Sequence, residues 1–177
     1  AVFDLANSLA ALMDEMQGEG IEPKALKNLD ISDVSGHWER ALQFINIVQG
    51  YFEDGAIPDT ETRQRACVLA LAKGWKVSPP NHPIIMAGST GSRGTTFQLM
   101  LAIAGLPQGA VVLPGFDFDM PSSVWDKLSD PNTGEDHPQF RFSHLLNSLG
   151  IKAKQVEPWT GDATTSYARN KLISLAM

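Results

Sequence analysis

The chain has 177 residues, 43% of them hydrophobic and 19% charged, with a formal net charge of −6 and a sequence pI near 5.1. This composition is that of a globular protein, which excludes disordered and fibrous classes, and the negative charge excludes a broadly basic surface for nucleic acid. The single cysteine, Cys67, excludes a disulfide framework. Since no apolar run approaches the ~20 residues that span a bilayer, we expect a cytoplasmic protein with no membrane contact.

The first part of the chain is helical in pattern. A first helix carries Leu5, Leu9, Leu12, Met13 and Met16 at helical spacing, and Gly18 and Gly20 end it. A second helix is predicted from Ser35 to about residue 52, and a third from Asp59 to about Trp75. The third includes the run ACVLALA, in which we expect Cys67 to be a small buried residue.

The composition changes at SPPNHP, where consecutive prolines predict an extended segment. We therefore expect residues 1–78 to form a helical subdomain and residues 79–177 an α/β subdomain. Both ends of the chain fall within apolar helical patterns, which favours a fragment of a longer protein.

The second part alternates short apolar runs with helical patterns. Residues 84–87 and 110–113 predict parallel strands covered on both faces, with a helix from Thr95 to Gly105 between them. Further helices are predicted at 121–128, at 136–149 with Asp136 and Gln139 as a capping box, and from Thr164 onward. Val156 lies in a weaker strand candidate. The expected fold class is α/β, a helical N-terminal part followed by a small parallel three-stranded sheet flanked by helices.

The glycine-rich turn GSTGSRGTT, at residues 88–96, is the first candidate site. The phosphate-loop pattern GxxxxGK[ST] requires glycine and lysine where this chain has Arg93 and Gly94, and the dinucleotide pattern GxGxxG fails as well. The start of the following helix nevertheless suits one anion or a DNA phosphate. The candidate contact residues are Ser89, Thr90, Ser92, Arg93 and Thr95. The alternative is that these residues only form the turn and cap the helix.

Two carboxylates, Asp117 and Asp119, follow the second strand and should emerge at the same sheet edge as the glycine-rich turn. They are candidate magnesium ligands, and capping of the helix in PSSVWDKL is the competing explanation. The histidines are His37, His82, His137 and His144. Only the last two share a face of one predicted helix, and no cysteine or second pair completes a metal site. We therefore assign no metal ligand and no catalytic residue.

Five stretches together resemble the AddB family in its alphaproteobacterial form: LANSLAALMDEMQGEGI, SGHWERAL, HPIIMAGSTGSRGTTFQLMLAIAGLPQGAVVLPGFDFDMPSSVW, EDHPQFRFSHLLNSLGI and ARNKLISLAM. Members of this family are the second subunits of AddAB helicase–nucleases, which process DNA double-strand breaks for recombination. The resemblance covers nearly the whole chain. It implies a place in the N-terminal, helicase-like half of such a subunit, which is similar to superfamily 1 helicases but is not the motor, and hence a partial P-loop-type sheet.

The resemblance implies a noncatalytic part of a DNA repair subunit that acts as scaffold and partner interface, with a role in guiding DNA left open. The implied partners are an AddA-type helicase–nuclease subunit and, through the full complex, DNA. ATP and Mg²⁺ are implied for that complex and not for this part. The family's nuclease motif and iron–sulfur cysteines belong to a C-terminal region that nothing here matches, so no catalytic residue is carried over.

Two other functions remain open from the residues themselves. One is a small nucleotide- or phosphate-binding enzyme that uses the turn from Gly88 to Thr96, with Asp117 and Asp119 holding magnesium. The other is a helical interaction module formed by residues 1 to 78.

Overall fold

The computed structural model describes residues 2–21, 60–128 and 134–159, together with residues 25, 43, 46, 47, 50, 130, 168, 171 and 172. Within these residues the chain is a mixed α/β protein with a small parallel sheet, as the sequence predicts. It divides into two compact units, one of residues 1–73 with 93–95 and one of residues 74–92 with 96–177. The boundary predicted after residue 78 stays a prediction. The helices predicted at 35–52 and from residue 164 lie largely outside the described residues.

Helix α1 spans Val2–Glu19 in the first unit. Its end is a left-handed turn at Gly20, whose φ is 71°. The Gly20 N–H donates to the Gln17 carbonyl at 3.0 Å, and the Ile21 N–H donates to the Met16 carbonyl at 2.8 Å. This pair of bonds satisfies carbonyls that the helix itself leaves unpaired, and a glycine adopts the turn without steric cost. The predicted stop at Gly20 is confirmed.

Helix α2 spans Thr60–Val77 and contains no buried residue. The prediction that Cys67 is buried is wrong, because its side chain is exposed. The apolar run at 66–72 encircles the helix axis, so some of these side chains must face outward. Leu69 and Leu71 accordingly remain 45% and 43% exposed.

The sheet of the second unit pairs β1, Ile84–Ala87, with β2, Gly109–Val112, in parallel. Helix α3, Gly94–Ala104, forms the crossover between them. The predicted order and parallel pairing are confirmed, with α3 and β2 each beginning one residue earlier than expected. The prediction that both faces of the strands are covered is wrong for β1, because Ile85 is 55% exposed.

The core of the second unit forms around helices α4, Ser122–Lys127, and α5, Phe140–Leu149. Its buried members are Met120, Trp125, Leu128, Phe142 and Leu146. Phe116, from the loop after β2, stacks on Trp125 with ring centroids 5.0 Å apart. The core therefore fixes the path of the chain between β2 and α4.

Two predictions for this unit are wrong. The segment around Val156 is not a strand; residues Ala153–Gln155 form a 3₁₀ turn, and Val156 packs against the core. Within the described ranges the sheet thus has two strands. Helix α5 begins at Phe140 and not at Asp136, because the Gln139 side chain forms tertiary hydrogen bonds and makes no cap.

None of the helices in the described ranges is long and apolar enough to cross a membrane.

Candidate functional site

The glycine-rich turn leaves β1 through two left-handed glycines, Gly88 with φ 80° and Gly91 with φ 68°. Between them the hydroxyl of Ser89 accepts a hydrogen bond from the Gly91 N–H at 3.2 Å. This local bond stabilises the turn, as serine commonly does in such positions. The candidates Thr90 and Ser92 are exposed.

The first N–H of α3 already has an anionic partner. The Gly94 N–H donates to Oε1 of Glu19 at 2.7 Å, within the first unit. An N-terminal helix position carries a partial positive charge and unpaired N–H groups, so it favours a carboxylate or a phosphate. Here the last residue of α1 supplies that carboxylate.

The neighbouring candidates contact the same end of α1. The Thr95 side chain is buried, and its hydroxyl donates to the Gly18 carbonyl at 3.2 Å. The same carbonyl accepts a bond from Nη1 of Arg65 at 2.9 Å. Arg93 lies 4.0 Å from Oε1 of Glu61, with its side chain 81% exposed, so this ion pair contributes little to stability. The Thr95 hydroxyl is therefore bonded to the end of α1, and its contact with an anion or DNA stays a prediction.

The second candidate group lies on the loop between β2 and α4. Asp117 Oδ1 accepts a hydrogen bond from the Asp119 N–H at 2.9 Å, which closes a local turn. Helix α4 begins after Pro121, which makes no side-chain capping bond. That Asp117 or Asp119 caps this helix stays a prediction. That these carboxylates lie beside the glycine-rich turn stays a prediction.

Gln139 holds the loop that carries these carboxylates. Its Oε1 accepts from the Asp117 N–H at 3.1 Å, and its Nε2 donates to the Gly115 carbonyl at 2.9 Å. The side chain is 8% exposed, so both bonds are shielded from water. The buried Gln139 amide therefore ties the loop to the start of α5 at two points, Gly115 and Asp117.

The prediction that His137 and His144 share one helix is wrong, because His137 precedes α5. Its Nδ1 accepts a hydrogen bond from the Gln139 N–H at 3.1 Å. His144 lies on α5 and stacks on Phe97 at 4.8 Å between ring centroids. The described part of the chain holds no group of three His, Cys, Asp or Glu side chains suited to a metal ion.

Three buried polar atoms have no hydrogen-bond partner among the described residues: Oε1 of Gln17, Oδ2 of Asp119 and Nε2 of His137. Sequence reasoning missed both Glu19 and Gln139 as residues of these regions. Glu19 contacts a residue 75 positions away, and Gln139 one that is 22 positions away. No local spacing marks such contacts, although the carboxylate next to a helix-ending glycine was a visible signal for Glu19.

Comparison with known proteins finds no matching family model, no matching curated protein and no matching solved structure.

Proposed function

We propose that this chain is a noncatalytic part of a cytoplasmic DNA double-strand break repair subunit, in which it acts as scaffold and interface for an AddA-type helicase–nuclease partner. A P-loop-type sheet, as in a helicase-like domain, belongs to this proposal. ATP and Mg²⁺ then serve the full complex through other parts of it.

The observation that carries the proposal is the hydrogen bond from Gly94 to Glu19. A nucleotide-binding helix start keeps its N–H groups available and adds a lysine for the outer phosphates. At this helix start the first N–H is paired with a carboxylate of the chain. That carboxylate would repel a phosphate at the same place, so the geometry favours a structural use of the turn.

The resemblance of five stretches to the AddB family supports the choice of repair subunit, because it extends over both units of the chain. The negative net charge is compatible with this role if most of the surface faces the partner or neighbouring domains. A direct role in guiding single-stranded DNA would require a local groove. This role is tested separately from the scaffold role.

Sedimentation of the chain mixed with an AddA-type subunit tests the interface. We expect a stoichiometric complex that persists at moderate salt, because scaffold interfaces bury apolar surface. Bovine serum albumin, which is also acidic, serves as the control for nonspecific association. Independent sedimentation of the two proteins at micromolar concentration would contradict the proposal.

A titration with labelled single-stranded DNA separates scaffold from DNA guide. A pure scaffold shows weak binding even at low salt. Tight binding whose affinity falls steeply with salt would show direct phosphate contacts. Such a result would overturn the scaffold-only form of the proposal and leave the interface to be judged by sedimentation.

A further inference from the structure

A groove of about 310 Å³ lies in the second unit between α4, α5 and the residues that follow α5. Its volume is near the lower end of small-molecule sites, which run from about 300 to 1,000 Å³. A ligand of this size contains one or two rings. None of its lining residues belongs to the glycine-rich turn or to the loop of Asp117 and Asp119.

The large apolar side chains of the lining are those of Trp125, Leu146 and Ile151. Trp125 and Leu146 are 9% and 4% exposed and belong to the core cluster, and Ile151 packs against that cluster. Because core side chains are held by packing on their other sides, this part of the lining is preformed.

The segment after α5 adds two lysines to the lining, Lys152 and Lys154. Helix α5 ends at Gly150, with φ 68°, and the Ile151 N–H donates to the Leu146 carbonyl at 3.0 Å. The Lys152 N–H then donates to Oε1 of Gln155 at 2.7 Å. These bonds fix the backbone on which both lysines stand.

The charge of the lining is positive although that of the chain is negative. Lys152 and Lys154 are exposed, and neither forms an ion pair within the described ranges. Asp126 is the acidic residue of the lining, so two positive groups stand against one negative group. A lysine ammonium is a compact charge that suits phosphate.

We infer that this groove binds a small organic phosphate monoester, with the organic group on the apolar residues and the phosphate near Lys152 and Lys154. A phosphate monoester carries a charge of about −1.5 to −2 at pH 7, which two ammonium groups balance. The apolar residues favour a ligand with a ring over inorganic phosphate. This site is independent of the proposed repair function, since its ligand contacts only the second unit.

An NMR titration of the ¹⁵N-labelled protein with phenyl phosphate tests the inference. We expect saturable shifts at the Trp125 indole and at the amides of residues 151–154. Inorganic phosphate has the phosphate without the ring, and benzyl alcohol has the ring without the phosphate. Each should bind at least about tenfold more weakly than phenyl phosphate. Equal affinity for inorganic phosphate would overturn the role of the apolar residues, and no saturable shift at millimolar phenyl phosphate would overturn the site.

Three variants test which charged side chains contribute to binding. The double variant Lys152→Ala/Lys154→Ala should weaken phenyl phosphate binding by about tenfold, because hydrogen bonds to a charged group are lost. The matched control Lys127→Ala removes an exposed lysine of α4 that does not line the groove and should leave affinity unchanged. Asp126→Asn should tighten binding by removing a like charge. Equal weakening by Lys127→Ala, or weaker binding in Asp126→Asn, would contradict the inference.

Discussion

The Glu19 carboxylate binds the Gly94 backbone N–H, with 2.7 Å between Oε1 and N. Glu19 is the last residue of α1 and Gly94 the first of α3, so an acidic side chain at one helix end compensates the partial positive charge of another. The position that an anion would use at this helix start is therefore taken by the protein itself.

Replacement of Glu19 tests the energetic value of this contact. Glu19→Ala should lower the free energy of unfolding by about 1 kcal/mol, because a carboxylate that satisfies a helix N–H is lost. Urea denaturation measures the change. The exposed Glu15 of the same helix provides the control, and Glu15→Ala should change stability by less than about 0.5 kcal/mol.

The sign of the Glu19 result is informative. A carboxylate in the last turn of α1 is unfavourable for the dipole of that helix alone. If Glu19 had no favourable contact with α3, its removal would stabilise the protein. A variant as stable as the wild type or more stable would thus contradict the described contact.

Two glycine variants test how closely α1 approaches the start of α3. A Cβ at position 94 would lie 2.5 Å from Oε2 of Glu19 and 2.8 Å from the Gly18 carbonyl, so Gly94→Ala should cost about 1–3 kcal/mol. Gly74, in α2, has no atom within 4 Å of its Cβ position. Gly74→Ala should stabilise the helix by about 0.5–1 kcal/mol. Thermal unfolding of both variants checks this difference, and a neutral Gly94→Ala would contradict the close approach.

Sequence patterns locate an element well when residues within that element determine where it forms or ends. The run at 84–87 forms a strand as predicted, and Gly20 ends α1 because a glycine adopts the left-handed turn. Val156 was predicted as a strand because apolar residues fit strands and cores alike. Its contact with the core is tertiary, so no local pattern distinguishes the two outcomes.

The candidate sites were predictable only as segments. The residues of the glycine-rich turn were found from their types and order. Their partners lie in two other helices, Gly18 and Glu19 in α1 and Glu61 in α2. The start of α5 was misplaced for the same reason, since Gln139 bonds to a loop 22 residues earlier. Long-range polar contacts of this kind leave no periodic signal in the sequence.

Gln139 should be the most sensitive polar residue of the loop before α4. Gln139→Leu keeps a side chain of similar volume but removes the amide that bonds to the Asp117 N–H and the Gly115 carbonyl. We expect the free energy of unfolding to fall by about 2 kcal/mol. Gln155→Leu removes an exposed bond to the Lys152 N–H and should cost less than about 1 kcal/mol. Urea midpoints compare the two variants, and equal losses of stability would contradict the conclusion that Gln139 holds this loop.

Phe142 anchors the core of the second unit. It is 2% exposed and packs with Phe116 at 6.1 Å between ring centroids, so Phe142→Ala should destabilise by about 3–5 kcal/mol. Phe118 is 47% exposed, and Phe118→Ala should cost distinctly less. Calorimetric unfolding measures both variants. A larger loss of stability in Phe118→Ala than in Phe142→Ala would contradict the assignment of Phe142 to the core.

The most direct test of the noncatalytic account is the melting temperature of the wild-type chain with millimolar Mg²⁺-ATP. Because a ligand that binds the folded state raises stability by mass action, the account predicts a shift of less than about 1 °C and no hydrolysis above buffer. A rise of several degrees that disappears in Arg93→Ala would contradict it, and would identify the turn from Gly88 to Thr96 as a nucleotide site.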